Sequence, residues 1–320
     1  MLPEPQARFE RQAQMLANRV RKRFKHLRKR FAHRNIEVFR LYDWDIPEIR
    51  AVVDWYDGHL VIGEYTRKQT VPEWLPFMGR AVAVALGVPG GKVYLKARRA
   101  GRQGGRRYER IDHTDRKIIV NERDLRFLVN PYDFVDTGLF SDHRDTRQMV
   151  GAMAAGRDFL NLYCYTGTFT CYAAKGGART TLSVDRADSA LRWARQNLDL
   201  NQIPLGNHTL VQMHALDFLT KARKGGYTYD LAVVDPPSYS TTRVDGEQFD
   251  IARDHPRLLE AVIAVMRPGG TVFFSTNHQN FRPRLTGLAS RAIEEITDQT
   301  IPEDYIRKRA PIHRCWRIAV

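Results

Sequence analysis

The chain has 320 residues, 43% hydrophobic and 27% charged, enough material for one large soluble core or two smaller ones. No apolar run approaches the roughly 18 residues of a membrane span, and Met1-Leu2-Pro3-Glu4-Pro5 lacks the charged-then-apolar pattern of a secretory signal. The net charge of +15 is one-sided: residues 1–130 hold 28 Lys+Arg against 15 Asp+Glu, and residues 131–320 hold 23 against 21. A basic front half implies a polyanionic partner, with phosphate contacts made there.

Residues 1–35 predict a basic amphipathic helix. Leu16, Val20, Phe24, Leu27 and Phe31 recur at helical spacing, and Arg19, Arg23, Lys25, Arg28 and Lys29 are among the cations on the other faces. Its apolar stripe is modest and its charge density high, so the helix is expected to pack on its own protein with its charges facing RNA or DNA rather than a membrane. Residues 36–130 read as a small α+β domain. Strands are expected at Val38–Tyr42, Ala51–Tyr56 and His59–Tyr65, with Asp57-Gly58 as a hairpin turn. A helix over Glu73–Leu86 and a strand over Lys92–Arg98 follow. The Gly/Arg loop after it, with Arg102, Arg106 and Arg107, suits an arm laid on a phosphate backbone.

Residues 131–320 alternate between strand and helix. Strands are expected at Asp158–Tyr163, Thr180–Asp185, His208–Met213, Asp230–Val234 and Gly270–Ser275. Helices are expected at Thr168–Lys175, Ser189–Leu200, Ala215–Lys221 and Asp254–Val265. This rhythm predicts an α/β, Rossmann-like, doubly wound sheet whose ligand lies at the carboxyl ends of the strands.

The first strand-to-helix turn, Asn161-Leu162-Tyr163-Cys164-Tyr165-Thr166-Gly167, has one glycine where a dinucleotide fingerprint needs three. Asp185 ends the second strand and is placed to accept from ribose hydroxyls. Asp217 follows the third and can accept from an adenine amine, with Phe218 as ring neighbour. Asp235 ends the fourth. Ribose-binding acids without a phosphate cradle point to S-adenosylmethionine, with Asn161, Tyr163, Tyr165, Thr166, Gly167, Asp185, Arg186, Asp217, Phe218 and Asp235 as candidate cofactor contacts. After the fourth strand come Asp235-Pro236-Pro237-Ser238-Tyr239, where prolines stiffen a turn that presents an aromatic ring to a flat substrate.

These segments, with Arg40-Leu41-Tyr42-Asp43, Asp136–Arg144, Phe273–Asn277 and Ile312-His313 with Cys315-Trp316, resemble the class I S-adenosylmethionine-dependent rRNA methyltransferases. The likeness is strongest to the N7-guanine half of the bacterial 23S rRNA methyltransferase K/L family and runs over nearly the whole chain. It implies that Phe140, Asp142 and Arg144 lie against the cofactor and that 23S rRNA or a large-subunit precursor is the substrate. Nothing in the chain matches the RNA-binding module and N2-guanine methyltransferase half that precede this part in many bacteria. A separate N2-guanine methyltransferase is therefore a possible partner.

Guanine N7 has an available lone pair, so in-line attack on the methyl needs positioning and desolvation rather than a base. Asp235, Pro236, Pro237, Tyr239 and Asn277 are the candidate catalytic residues. Cytosine C5 would need a cysteine thiolate, and none follows the fourth or fifth strand. Cys164, Cys171 and Cys315 are odd in number, too widely spaced for a zinc knuckle, and expected to be unpaired thiols in a reducing, cytoplasmic setting with no metal. The rivals are methylation of an exocyclic amine, cytosine C5, a small-molecule substrate, and an RNA-binding protein without catalysis.

Overall fold

The computed structural model describes residues 4–66, 71–99, 112–244, 247–306 and 310–320. The chain forms two compact units, one of residues 1–137 with 303–308, the other of 138–302 with 309–320. The division falls after Thr137 rather than after 130. Asn130 still donates its backbone N–H to Thr137 O (2.8 Å), and the Tyr56 hydroxyl lies 2.9 Å from Thr137 Oγ1.

In the first unit, helix α1 (Glu4–Ala32) buries Leu16, Val20, Leu27 and Phe31 against a sheet of β1 (Val38–Asp43), β2 (Ala51–Tyr56), β3 (His59–Thr66) and β4 (Val93–Arg99). The helix is thus part of the small domain's core, because its apolar stripe has the sheet to pack on. Helix α2 (Trp74–Leu86) makes the crossover that lets β4 run parallel to β3, while β1, β2 and β3 alternate in direction. A hairpin of β5 (Ile118–Glu122) and β6 (Leu125–Val129) follows. Arg40 is buried here. Its guanidinium donates to both oxygens of Asp54 (2.7 and 3.0 Å) and to Asp43 (2.8 Å), and its backbone N–H donates to Asp304 (2.9 Å). A buried cation loses such partners only at high cost, and the Tyr305 ring 4.6 Å from the guanidinium, with the Asp304 bond, ties a segment from near the C-terminus into this unit.

The second unit begins with α3 (Arg144–Met153) and continues through β7 (Asp158–Leu162), α4 (Thr168–Lys175), β8 (Thr180–Asp185), α5 (Asp188–Leu200), β9 (His208–Gln212), α6 (Ala215–Lys224) and β10 (Tyr229–Val234). A small hairpin, β11 (Tyr239–Val244) and β12 (Glu247–Asp250), leads to α7 (Ile251–Ile263). Then come β13 (Met266–Thr276), β14 (Ala292–Glu295), the short α8 (Thr297–Thr300) and β15 (Arg314–Ala319). The sheet order is β14-β15-β13-β10-β7-β8-β9, parallel except where β15 inserts antiparallel to both of its neighbours. Alternate residues of β10 serve opposite faces. Ala232 and Val234 pack with α6 and α7, while Leu231 and Val233 pack with α3 and α4. Both faces are covered, as expected for a doubly wound sheet.

Candidate active site

Strand order reverses between β7 and β10, so their carboxyl ends open the crevice where a doubly wound sheet takes its ligand. The turn after β7 is left-handed at Tyr163 (φ +59°), Tyr165 (φ +48°) and Gly167 (φ +72°). Gly167 is required twice over, by its φ and because a Cβ there would lie 2.8 Å from Ala194 Cβ on α5. Two non-glycine residues held in this conformation store strain that the surroundings must maintain. Asp185 does part of that, accepting from Tyr165 N–H at Oδ2 and Ala187 N–H at Oδ1, each at 2.9 Å. Each carboxylate oxygen keeps a further acceptor site.

The segment before α3 is tied to the same turn. Thr166 Oγ1 donates to Gly138 O (2.6 Å), and Arg147 donates to Phe140 O (2.9 Å). The Phe140 ring lies 5.4 Å from that of Tyr165. Gly138 (φ +94°) has room for no side chain, since Trp193 occupies the place of a Cβ. Asn161 is buried and donates to Thr170 Oγ1 (2.9 Å), linking β7 to α4. Asp217 and Arg186 are exposed. Phe218 instead points into the sheet core beside Leu219 and Ala222, which leaves only 8% of it exposed. Arg144 is fully buried at the start of α3.

At the end of β10, Asp235 Oδ1 accepts from Ser275 Oγ on β13 (2.6 Å), and its Oδ2 lies 3.6 Å from His143 Nε2. Pro236 is buried, Pro237 half-buried, and Ser238 Oγ donates to Asn277 Oδ1 (2.6 Å). Tyr239 opens β11, but its ring lies outside the described residues, as do Arg102, Arg106 and Arg107. The His143 ring stacks on His313 (4.2 Å, 12°), and His313 Nδ1 lies 3.1 Å from Asp142 Oδ2. The resemblance sets the Asp142-His143-Arg144 segment against the cofactor, whereas Ser275 and His313 lie in segments that carry the resemblance but are not marked as site residues by sequence reasoning. Only folding brings residues 143, 235, 275 and 313 together. Asp142, His143 and His313 also form the sole three-residue group, among the described residues, with metal-ligating atoms within 4.8 Å of one another. Nearly parallel imidazoles aim their lone pairs along separate planes, so they do not converge on one ion.

Electrostatics separates these groups. Burial, then the neighbouring His313, pushes His143 below the usual histidine range. Burial raises all three thiols, Cys171 to about 12. All three are free and buried, so none offers a thiolate at neutral pH. Burial, then Asp185, also raises the Tyr163 hydroxyl, and that oxygen is buried without a hydrogen-bond partner among the described residues.

Such a sheet order, with a glycine-poor turn after its first strand and an acid ending the second, defines a class I α/β methyltransferase. A family profile for S-adenosylmethionine-dependent methyltransferases matches residues 51–296, and the chain belongs to that family. It is similar to the ribosomal RNA large subunit methyltransferase K/L of Allochromatium vinosum, 41% identical over 99% of this chain and 44% of that relative. The Aeromonas hydrophila protein of the same name is 39% identical over 96% and 43%. The chain thus spans less than half the length of the curated relatives it matches. A solved structure of a candidate methyltransferase complexed with SAH shares the fold, with a TM-score of 0.77 at 23% identity, covering 96% of this chain and 82% of that one. The spare acceptor sites of Asp185, the unpartnered Tyr163 hydroxyl and the close backbone at Gly167 fit the family's cofactor, S-adenosylmethionine. No described helix is long and apolar enough to cross a membrane.

Proposed function

We propose that this protein methylates N7 of a guanine in 23S rRNA or a large-subunit precursor, in the cytoplasm. S-adenosylmethionine supplies the electrophilic methyl group. The observation that carries this assignment is the Asp235 carboxylate, held at the carboxyl end of β10 beside two prolines and a Ser238–Asn277 pair, with no reactive thiolate nearby. Asp235 would accept from the guanine N1 or N2 hydrogens, and Tyr239 would lie on the ring. Pro236 and Pro237 stiffen the wall that orients it. N7 has no proton to remove, so the residues need only hold the base and exclude water. Asp185 would take the ribose hydroxyls, Asp217 the adenine amine, and Phe140, Asp142 and Tyr163 would line the same cofactor.

RNA contact is assigned to the first unit. Lys25, Arg28 and Lys29 are exposed on α1. Arg19 is engaged by Asp45 (2.7 Å) and Arg23 donates to Glu303 O (3.0 Å), so these two also serve the unit's own structure. A separate N2-guanine methyltransferase would act alongside this chain. The exocyclic-amine alternative would use the same Asp235 carboxylate, accepting a hydrogen bond from the reacting amine. One digest separates the two: the protein is incubated with labelled S-adenosylmethionine and unmodified 23S rRNA, and the nucleosides are identified by mass spectrometry. Labelled 7-methylguanosine is expected; labelled N2-methylguanosine, N6-methyladenosine or 5-methylcytidine would overturn the choice of atom.

A further inference from the structure

The stacked histidines have proton positions that their neighbours dictate. Thr300 Oγ1 donates its one hydrogen to Thr297 O (2.8 Å), so toward His313 Nε2, 3.1 Å away, it can only accept. His313 therefore carries a proton on Nε2. Its Nδ1 faces the Asp142 carboxylate at 3.1 Å, an approach that is favourable only with a second proton between them. Burial, then the His313 ring stacked at 4.2 Å, disfavours a charge on His143, so it stays neutral. Its Nδ1 is buried with no hydrogen-bond partner among the described residues. Its Nε2 faces two carboxylate oxygens, Asp235 Oδ2 at 3.6 Å and Asp142 Oδ2 at 3.9 Å. The single proton of the ring belongs on Nε2.

We infer that His143 is a positioning residue whose Nε2–H, facing one Asp235 oxygen across 3.6 Å, acts with the Ser275 hydroxyl bonded to the other at 2.6 Å to set the direction in which the carboxylate receives the target base. This rests on the proposed role of Asp235. A neutral His143 leaves Asp235 its full negative charge, which favours a base that becomes cationic on methylation. A His143 whose free nitrogen is buried away from Asp235 is also poorly placed to take a proton from an amine. The groups facing the ring are Asp142 on its own turn, Arg147 on α3, Phe169 on α4, Asp235 after β10 and His313 before β15. The Asp142 and Asp235 carboxylates and the Arg147 guanidinium surround it, so protonation at low pH would upset the balance that orients Asp235.

The first test needs neither RNA nor cofactor. Histidine ring signals are followed by NMR against pH in the unliganded protein, with His143 assigned from the signal that disappears in H143Q. His143 is expected to titrate below an ordinary histidine, and in D235N to move down by about one pH unit or more, since an attracting charge is removed. An unchanged titration in D235N would overturn the coupling. The second test is kinetic. H143F keeps a flat ring but no donor, and its kcat is expected to fall about tenfold to a hundredfold. SAH affinity by calorimetry should stay near wild type, and H143Q, which retains a donor, should recover part of the activity. A kcat for H143F within about twofold of wild type would overturn the positioning role. If H143F does not fold, the D235N titration still decides, because it uses the native His143. A product other than 7-methylguanosine with the titration coupling intact would sink the proposed function alone.

Discussion

The two ends of the methyltransferase sheet carry the same residue type in opposite conditions. At the amino ends of β7 and β10, Asp158 and Asp230 are held by arginines. Arg179 and Arg267 both pair with Asp158, and Arg267 donates to Asp230 (2.7 Å). Chiefly through Arg179, and despite burial, Asp158 is kept well below the usual carboxylate range. At the carboxyl ends, among the described residues, Asp185 accepts only two backbone N–H groups, and Asp235 accepts one hydroxyl beside a neutral imidazole. Saturated acids stabilise; acids with spare lone pairs can serve a ligand. Which end of a strand an aspartate occupies therefore matters more than its being an aspartate.

That contrast can be broken most directly at Asp235. D235N is expected to lower methylation kcat by about a hundredfold or more while leaving the unfolding midpoint nearly unchanged, because misplaced substrate rather than weakened packing sets the effect. Activity near wild type in a folded D235N would erase the distinction. Asp185 should show the same pattern in binding. Removing one charged acceptor costs about 1.5 kcal/mol, so D185A is expected to weaken SAH binding, measured by calorimetry, about tenfold.

D158N, at the opposite end, should reverse the pattern. Stability in urea is expected to fall by about 1 kcal/mol, discounted because Arg179 is largely exposed, with kcat unchanged. The sign with pH follows from the lowered pKa. The contribution is fully present above the ordinary carboxylate range and is lost as pH falls through the lower folded value. Wild type and D158N should therefore converge in stability in strong acid, and a gap that widens there would contradict the ion-pair assignment. The smallest expected effect lies in the first unit. Replacing Lys25, Arg28 and Lys29 with Ala should flatten the salt dependence of RNA binding by roughly 0.7–0.9 for each phosphate that is no longer neutralised, without changing SAH affinity.

Local regularity in the chain accounts for most of the architecture. Thr168–Lys175 and Thr180–Asp185 have the bounds that periodicity alone predicts, and the hairpin at Asp57-Gly58 forms with both residues at positive φ. Apolar period, turn residues and strand-ending acids are local signals, so they survive in one dimension. The antiparallel insertion of β15 and the return of Glu303–Lys308 to the first unit left no such trace, because each is set by long-range pairing.

The site divides along the same line. The sequence by itself determined the strand-end acids, the one-glycine turn and the Asp-Pro-Pro exit, since each belongs to a single strand and the residues just after it. Only the tertiary structure decided what those acids meet. It turned Phe218 inward, committed Asn161 to Thr170, and set Ser275 and His143 on the two oxygens of Asp235, with His313 stacked beneath. The physical reason is that hydrogen-bond saturation and charge depend on neighbours contributed by strands far apart in the chain, and these meet only when the sheet closes its order.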